Sequence, residues 1–149
     1  MKNQITIRPA SLDDLQSVAY LFDQYRQYYK QPTDLDGAEE FLRDRIEQKE
    51  SVILVALESG EIIGFTQLYP IFSSISMRKA WLLNDLYVSE GQRGKGAGTQ
   101  LLDAAKDVGR NSGAKWLMLQ TTADNARAQS VYEKNGWVRE SDWFYQFDL

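Results

Sequence analysis

Ile5 and Ile7 alternate with polar neighbours up to Pro9, a period of two that predicts a short first strand. Ser11 with Asp14 three residues later has the form of a capping box. Leu12, Leu15, Val18, Ala19, Phe22 and Tyr25 then recur at helical spacing, and QYRQYYKQPTD closes that helix. Asp36 and Glu39 mark a second start, with Phe41, Leu42 and Ile46 on one helical face. SVILVALESGEIIGFTQLYPIF predicts a hairpin: a buried strand over 52–57, a turn at Ser59-Gly60 and a return over 62–69. After the short link SSISMR, KAWLLNDLYV predicts a further long strand.

From Gly96 to about residue 111 the pattern is helical, with Leu101, Leu102, Ala105 and Val108 as the apolar stripe and Gly113 as the stop. KWLMLQT predicts another buried strand. DNARAQSVYEKNG predicts a helix capped by Asp124 or Asn125 and ended by Gly136. DWFYQFDL sets Trp143, Tyr145, Phe147 and Leu149 against Asp142, Phe144, Gln146 and Asp148, and predicts a terminal strand. The order is β-α-α-β-β-β-α-β-α-β-β. It is an α/β pattern in which the hairpin demands a mixed sheet and the later βαβ unit supplies parallel pairing.

The chain of 149 residues shows no repeat or linker-like tract, so residues 1–149 read as a single domain. A 43% hydrophobic content is enough for one core. The net charge of −4 argues against a bulk electrostatic grip on nucleic acid. There is no cysteine and no histidine. Disulfides, thiolate or imidazole metal sites and a Ser-His-Asp mechanism are therefore excluded, and no metal is expected. Acid–base chemistry falls to carboxylates, tyrosine, lysine or water. MKNQITIRPA lacks a signal-peptide core, and no run approaches the ~18 apolar residues of a membrane span. The expectation is a soluble cytoplasmic protein without a membrane partner.

Gly94, Gly96 and Gly98 lie where a helix should begin, although glycine weakens helices. A P-loop would need Lys and Ser/Thr after Gly96, where Ala97 and Gly98 stand. A GxGxxG turn would need a third glycine where Thr99 stands. What remains is Arg93-x-x-Gly96-x-Gly98 between a strand and a helix. The first amides of a helix lack internal partners and carry the positive end of its dipole, and glycine lets an anion reach them. Arg93 and Lys95 add positive charge at the rim, so the turn suits a phosphate or pyrophosphate.

LYVSEGQRGKGAGTQLL resembles the acetyl-CoA-binding motif of the GNAT family of N-acetyltransferases, R/Q-x-x-G-x-G/A after a strand ending in an LYV-like sequence. DNARAQSVYEKNGW is similar to the family's second motif, through Asn125, Ala128, Tyr132, Glu133, Lys134, Gly136 and Trp137. Together the motifs cover roughly residues 81–137, and the first half matches by order of elements. Gly91 departs from the proline of many members. FDQYRQYY, FTQLYP and LNDLYV further resemble the Hpa-type histone acetyltransferase-like subgroup.

The resemblance implies a mixed central sheet of about six or seven strands flanked by four helices. It implies acetyl-CoA as cosubstrate. The turn formed by Arg93, Gly94, Lys95, Gly96, Ala97, Gly98 and Thr99 would hold its pyrophosphate. Leu86, Tyr87 and Val88 would offer a strand edge to the pantetheine arm, with an amide near Leu86 or Tyr87 facing the thioester oxygen. Asn125 would bond the cofactor or cap its own helix, and Lys134 completes the cofactor set. Tyr132 would protonate the departing thiolate. Asp85 is the candidate base or a structural carboxylate. Asn84 stands where some polyamine acetyltransferases carry glutamate.

Asp34, Asp36 and Glu90 are candidate pocket acids or a solvated face, and Tyr28, Tyr29 and Tyr69 are candidate pocket aromatics or packing residues. The implied reaction is direct acetyl transfer to a primary amine of a small molecule or protein. A non-catalytic acyl-CoA-binding module is the alternative, and nucleotide binding at the turn a third reading. A homodimer through the aromatic terminal strand is also expected.

Overall fold

The computed structural model describes residues 4–149. β1 (Ile5–Pro9) leads through a 3₁₀ turn (Leu12–Asp14) into α1 (Leu15–Tyr28) and α2 (Leu35–Glu47). β2 (Val52–Glu58), β3 (Glu61–Ser73) and β4 (Arg78–Val88) follow as a meander. A second 3₁₀ turn (Glu90–Gln92), α3 (Ala97–Asn111), β5 (Leu117–Met118) and α4 (Ala126–Lys134) complete the order. The sheet runs β1-β2-β3-β4-β5. Its first three pairings are antiparallel, and β4 with β5 is parallel.

The unbroken apolar run of β2 reflects burial on both faces. Ile53 and Val55 pack with Val18, Phe22 and Leu42 beneath α1 and α2. Leu54 and Ala56 pack with Leu101, Leu102 and Ala105 of α3 on the opposite face. The hairpin turn places Ser59 and Gly60 at φ 51° and 77°, the two left-handed positions of a type I′ turn. Ser11 N–H donates to Asp14 Oδ2 at 2.9 Å, as its sequence pattern predicts. The cap of α2 is Asp34 rather than Asp36, accepting from the Gly37 amide at 3.0 Å. Asn125 caps α4 through the Ala128 amide at 3.1 Å.

The four helices stand as expected, but among the described residues the sheet has five strands rather than six or seven. The terminal strand expected over DWFYQFDL is absent, and residues 138–149 carry no regular element. The strand expected over KWLMLQT shrinks to Leu117–Met118. Alternation creates a strand-competent segment, but a strand exists only where a neighbouring backbone pairs with it. Beyond Met118 no such neighbour is present among the described residues.

The α1–α2 junction is held by Asp23, which is 6% exposed. It accepts from the Asp34 amide at 2.7 Å, the Thr33 hydroxyl at 2.7 Å and the Gln27 amide at 3.0 Å. Burial raises its pKa, but these donors outweigh burial and leave it below the ordinary value. Its stabilisation is therefore complete above the unfolded carboxylate pKa and is lost as pH falls through the lower folded value. Asp23→Ala is expected to cost about 2 kcal/mol at pH 7 in denaturant unfolding. The gap from wild type should narrow below about pH 4. An equal gap at pH 3 and pH 7 would refute this role.

Candidate active site

β4 carries the site because its geometry changes midway. Gln67 of β3 faces Asp85, whereas Leu68 faces Leu83, so Asn84 is an extra residue bulged out of β4. A one-residue bulge reverses which face each later side chain meets. Trp81 and Leu83 lie in the α3-side core, and after the bulge Leu86 and Val88 do so. Tyr87 is turned to the α1–α2 side beside Phe65. Asp85 shares that side, opposite Gln67.

Asp85 is 4% exposed and Gln67 is fully buried. Gln67 Nε2 donates to Asp85 Oδ2 at 2.7 Å, and Ser51 Oγ donates to Gln67 Oε1 at 2.8 Å. Asn84 Nδ2 donates to Asp85 Oδ1 at 3.1 Å. The Thr66 hydroxyl donates to the Asp85 carbonyl at 2.7 Å and ties down the backbone there. Burial pushes the Asp85 carboxyl above the usual carboxylate range, opposed by the hydrogen bonds from Gln67 and Asn84 and by the nearby Tyr25 hydroxyl.

Tyrosines wall this side. The Tyr25 hydroxyl donates to the Asn84 carbonyl at 3.3 Å. Its ring lies 5.1 Å from Tyr29 and 6.2 Å from Tyr87, edge to face. Burial and then the Asp85 charge raise the Tyr25 hydroxyl pKa. The same two causes push Tyr69 up to about 12. Tyr132, on α4, is half-buried, with its ring 6.4 Å from Trp137. Burial, and next Tyr29, raise its hydroxyl pKa, so the phenol keeps its proton at neutral pH. Tyr28 and Tyr29 are exposed at the edge of the wall. Asp34 is committed to the α2 cap, while Asp36 and Glu90 lie exposed on the surface.

The other half of the site is an opening in the sheet. β4 pairs with β5 only at Trp81 and Leu82, so the segment from Leu83 to Val88 has no partner on that side. Close to its end, Gly94 and Gly96 take φ 84° and 90°, and Gly96 leads directly into α3. Gly96 offers no capping side chain to the first amides of α3, and a Cβ at Gly94, Gly96 or Gly98 would project into open space. The head of a 15-residue helix thus presents bare amides to whatever lies in front of it.

The rim charges divide. Arg93 Nε donates to the Val88 carbonyl at 3.0 Å and the guanidinium lies 5.5 Å from the Tyr87 ring centroid, joining the turn to the strand end. Lys95 turns instead to the hairpin, 3.0 Å from Glu58 and 2.6 Å from Gln92 Oε1. Asn125 uses its side-chain oxygen on its own helix, and Lys134 lies exposed in the last turn of α4. A cavity of 640 Å³ bordered by Arg8, Tyr20 and Ile62 contains none of the candidate residues.

Residues 16–137 match the family model described as the acetyltransferase (GNAT) family. The chain belongs to the GNAT acetyltransferase family. YhfO of Bacillus subtilis (strain 168), described as an uncharacterized N-acetyltransferase, is 52% identical over 141 residues, covering 95% of each chain. A crystal structure of a probable acetyltransferase shares 40% identity and superimposes with a TM-score of 0.88, over 97% of this chain and 96% of the other. A probable acetyltransferase of Haemophilus influenzae is 34% identical over 58% of this chain and 60% of its own. Acetyltransferases of this family take their acetyl group from acetyl-CoA. The glycine turn, with left-handed backbone, uncapped amides and no Cβ, fits the pyrophosphate of such a donor.

Gln67, Ser51 and Tyr25 are absent from the sequence-derived candidates. The available signal was the polar pair Thr66-Gln67 inside an otherwise apolar strand, matching Asn84-Asp85 on the next one.

Proposed function

We propose that this GNAT acetyltransferase moves an acetyl group from acetyl-CoA directly to a primary amine of a small molecule or protein, with Asp85 as base and Tyr132 as acid. The observation that carries the reading is the parted end of β4, with the uncapped head of α3 close to it and a buried carboxylate behind. Bound acetyl-CoA supplies an activated acetyl thioester. The amides from Gly94 to Thr99 hold the pyrophosphate, with Arg93 fixing the turn. The edge of Leu86, Tyr87 and Val88 takes the pantetheine amides, and an amide near Leu86 or Tyr87 donates to the thioester oxygen. Asn125 and Lys134 complete the donor site.

Asp85 receives the amine proton at Oδ1, whose hydrogen-bond partner is the exposed Asn84 amide. The nitrogen then bonds the acetyl carbon as the carbon–sulfur bond breaks. Tyr132 gives its phenolic proton to sulfur, the acylated nitrogen sheds its second proton through water to restore Tyr132, and the Asp85 proton returns to solvent. Tyr25, Tyr28, Tyr29 and Tyr69 line the acceptor side. The resemblance of FDQYRQYY, FTQLYP and LNDLYV to Hpa-type enzymes supports that subgroup. No helix among the described residues is long and apolar enough to cross a membrane. The enzyme acts as a homodimer.

Titration calorimetry with CoA tests the donor half. Gly96→Val places a β-branched residue at φ 90° and is expected to weaken CoA binding roughly tenfold or more. Unchanged affinity, or displacement of CoA by equimolar ATP, would contradict the assigned site.

Gln67 is a positioning residue in this account. An ionised Asp85 only accepts, so it orients the Gln67 amide, and Ser51 satisfies the oxygen that faces away. Gln67→Met removes a donor to the ionised form and is expected to raise the Asp85 pKa further. The acid limb of the kcat/KM profile should then move to higher pH, and Ser51→Ala should move it less in the same direction. A lower rate with an unmoved limb would reduce Gln67 to a packing role.

A further inference from the structure

The pairing of β3 with β4 fixes where the backbone groups at the parted end of β4 point. In an antiparallel pair the amide and carbonyl of one residue face the same neighbour, and those of the next residue face the other way. The Ser89 amide donates to the Ile63 carbonyl at 2.8 Å, so Ser89 faces β3. The register is unbroken from Gly64 opposite Val88 to Gln67 opposite Asp85. By this alternation Tyr87 and Asp85 also turn their backbone groups to β3, while Leu86 and Val88 turn theirs away from it. Two contacts agree. A Cβ on Gly64 would stand 2.9 Å from the Tyr87 carbonyl oxygen, which therefore lies on the β3 side. Arg93 Nε reaches the Val88 carbonyl at 3.0 Å from the turn beyond the strand. Among the described residues β5 pairs with β4 only at Trp81 and Leu82, so the Leu86 amide faces the opening and the Tyr87 amide does not.

The Leu86 amide and the Asp85 carbonyl are the two ends of one trans peptide unit, so they point in opposite directions. Thr66 holds the carbonyl end: its hydroxyl donates there at 2.7 Å, fully buried. Thr66 sits opposite Leu54 on one side and Leu86 on the other, both in the α3-side core. Valine has nearly the same shape and would suit that packing; what threonine adds is the bond to the Asp85 carbonyl. A donor on a carbonyl draws electron density to the oxygen and leaves the N–H of the same unit a stronger donor, as along any hydrogen-bond chain. We propose that Thr66 is a positioning residue for acetyl transfer: through the Asp85–Leu86 peptide it aims and polarises the Leu86 amide toward the thioester oxygen of the donor. The inference rests on the donor site read above and selects Leu86 over Tyr87 within it. Negative charge gathers on that oxygen as the amine adds to the acetyl carbon, so a preset donor favours the transition state over the bound thioester. Thr66 bonds Asp85 at its backbone, whereas Gln67 and Asn84 hold its carboxylate, so the two positioning effects separate.

The test reads the thioester itself. Acetyl-CoA carrying a carbon-13 label at the acetyl carbonyl is bound, without acceptor amine, to the wild type, Thr66→Val and Thr66→Ser, and its carbonyl band is followed by difference infrared spectroscopy. The wild-type band is expected below its free-solution frequency. Thr66→Val should move it back toward that frequency, and Thr66→Ser should restore it. Turnover should keep the same order, with kcat about threefold to tenfold lower in Thr66→Val and within about twofold of wild type in Thr66→Ser. The acetyl-CoA Kd should stay within about twofold in all three, and the acid limb of the kcat/KM profile should not move. A Thr66→Val band at the wild-type frequency would overturn the role of Thr66. A displaced acid limb would assign Thr66 to the carboxylate and overturn it too. A wild-type band at the free-solution frequency with acetyl-CoA bound would overturn the proposal and leave the donor site standing. A wild type that does not bind acetyl-CoA would overturn both.

Discussion

Asp85→Asn is expected to lower kcat/KM by about 10²–10⁴-fold while leaving acetyl-CoA affinity within about twofold. The chain has no histidine, and Asp85 is the buried carboxylate at the parted end of β4. Its pKa is raised, first by burial, which brings a carboxylate closer to the range where it serves as a base. In wild type the ionised form accumulates only above that raised value. Activity should therefore decline on the acid side above the usual aspartate range, and the variant should lose this limb. Stability should not follow activity. Ionising a carboxylate that burial disfavours costs folding free energy at neutral pH, and the amide removes that cost once the exposed Asn84 side chain turns its oxygen to the new N–H. Thermal unfolding is expected at or above the wild-type temperature. Turnover within tenfold of wild type in a folded variant would exclude Asp85 as the base.

Tyr132→Phe is the second large effect. It deletes one oxygen and keeps the ring that packs near Trp137 and against the α3-side core. Burial and Tyr29 hold the phenol protonated at neutral pH, the state an acid for the leaving sulfur requires. Turnover is expected to fall about 10²-fold with acetyl-CoA binding within about twofold. Equal losses in turnover and affinity would mean that the hydroxyl binds the donor rather than protonating sulfur. Unchanged turnover would remove it from the chemistry.

Sequence patterns reached the two halves of the site unequally. The glycine turn was legible because its chemistry is local: helix amides, positive φ and missing Cβ atoms all follow from neighbouring residues. Asp85 was legible as a polar residue in an apolar strand, but its direction was not. The bulge at Asn84 decides which face it meets, and that depends on register against Gln67 across the hairpin. Gln67 and Ser51 stayed hidden for the same reason, since their hydrogen bonds cross between strands. Lys95 read as a rim cation until the hairpin brought Glu58 to it. The terminal strand failed differently. DWFYQFDL has the alternation of a strand, but alternation specifies a face and not a partner, and the described chain supplies none.

Thiol release from acetyl-CoA tests the central claim most directly, in the presence of polyamines, amino acids and lysine peptides. The account predicts thiol release that requires one class of amine, matched mole for mole by acetylated amine in the product. Tight CoA binding with no amine-dependent release from any of these acceptors would contradict it and favour a module that holds acyl-CoA without reacting it.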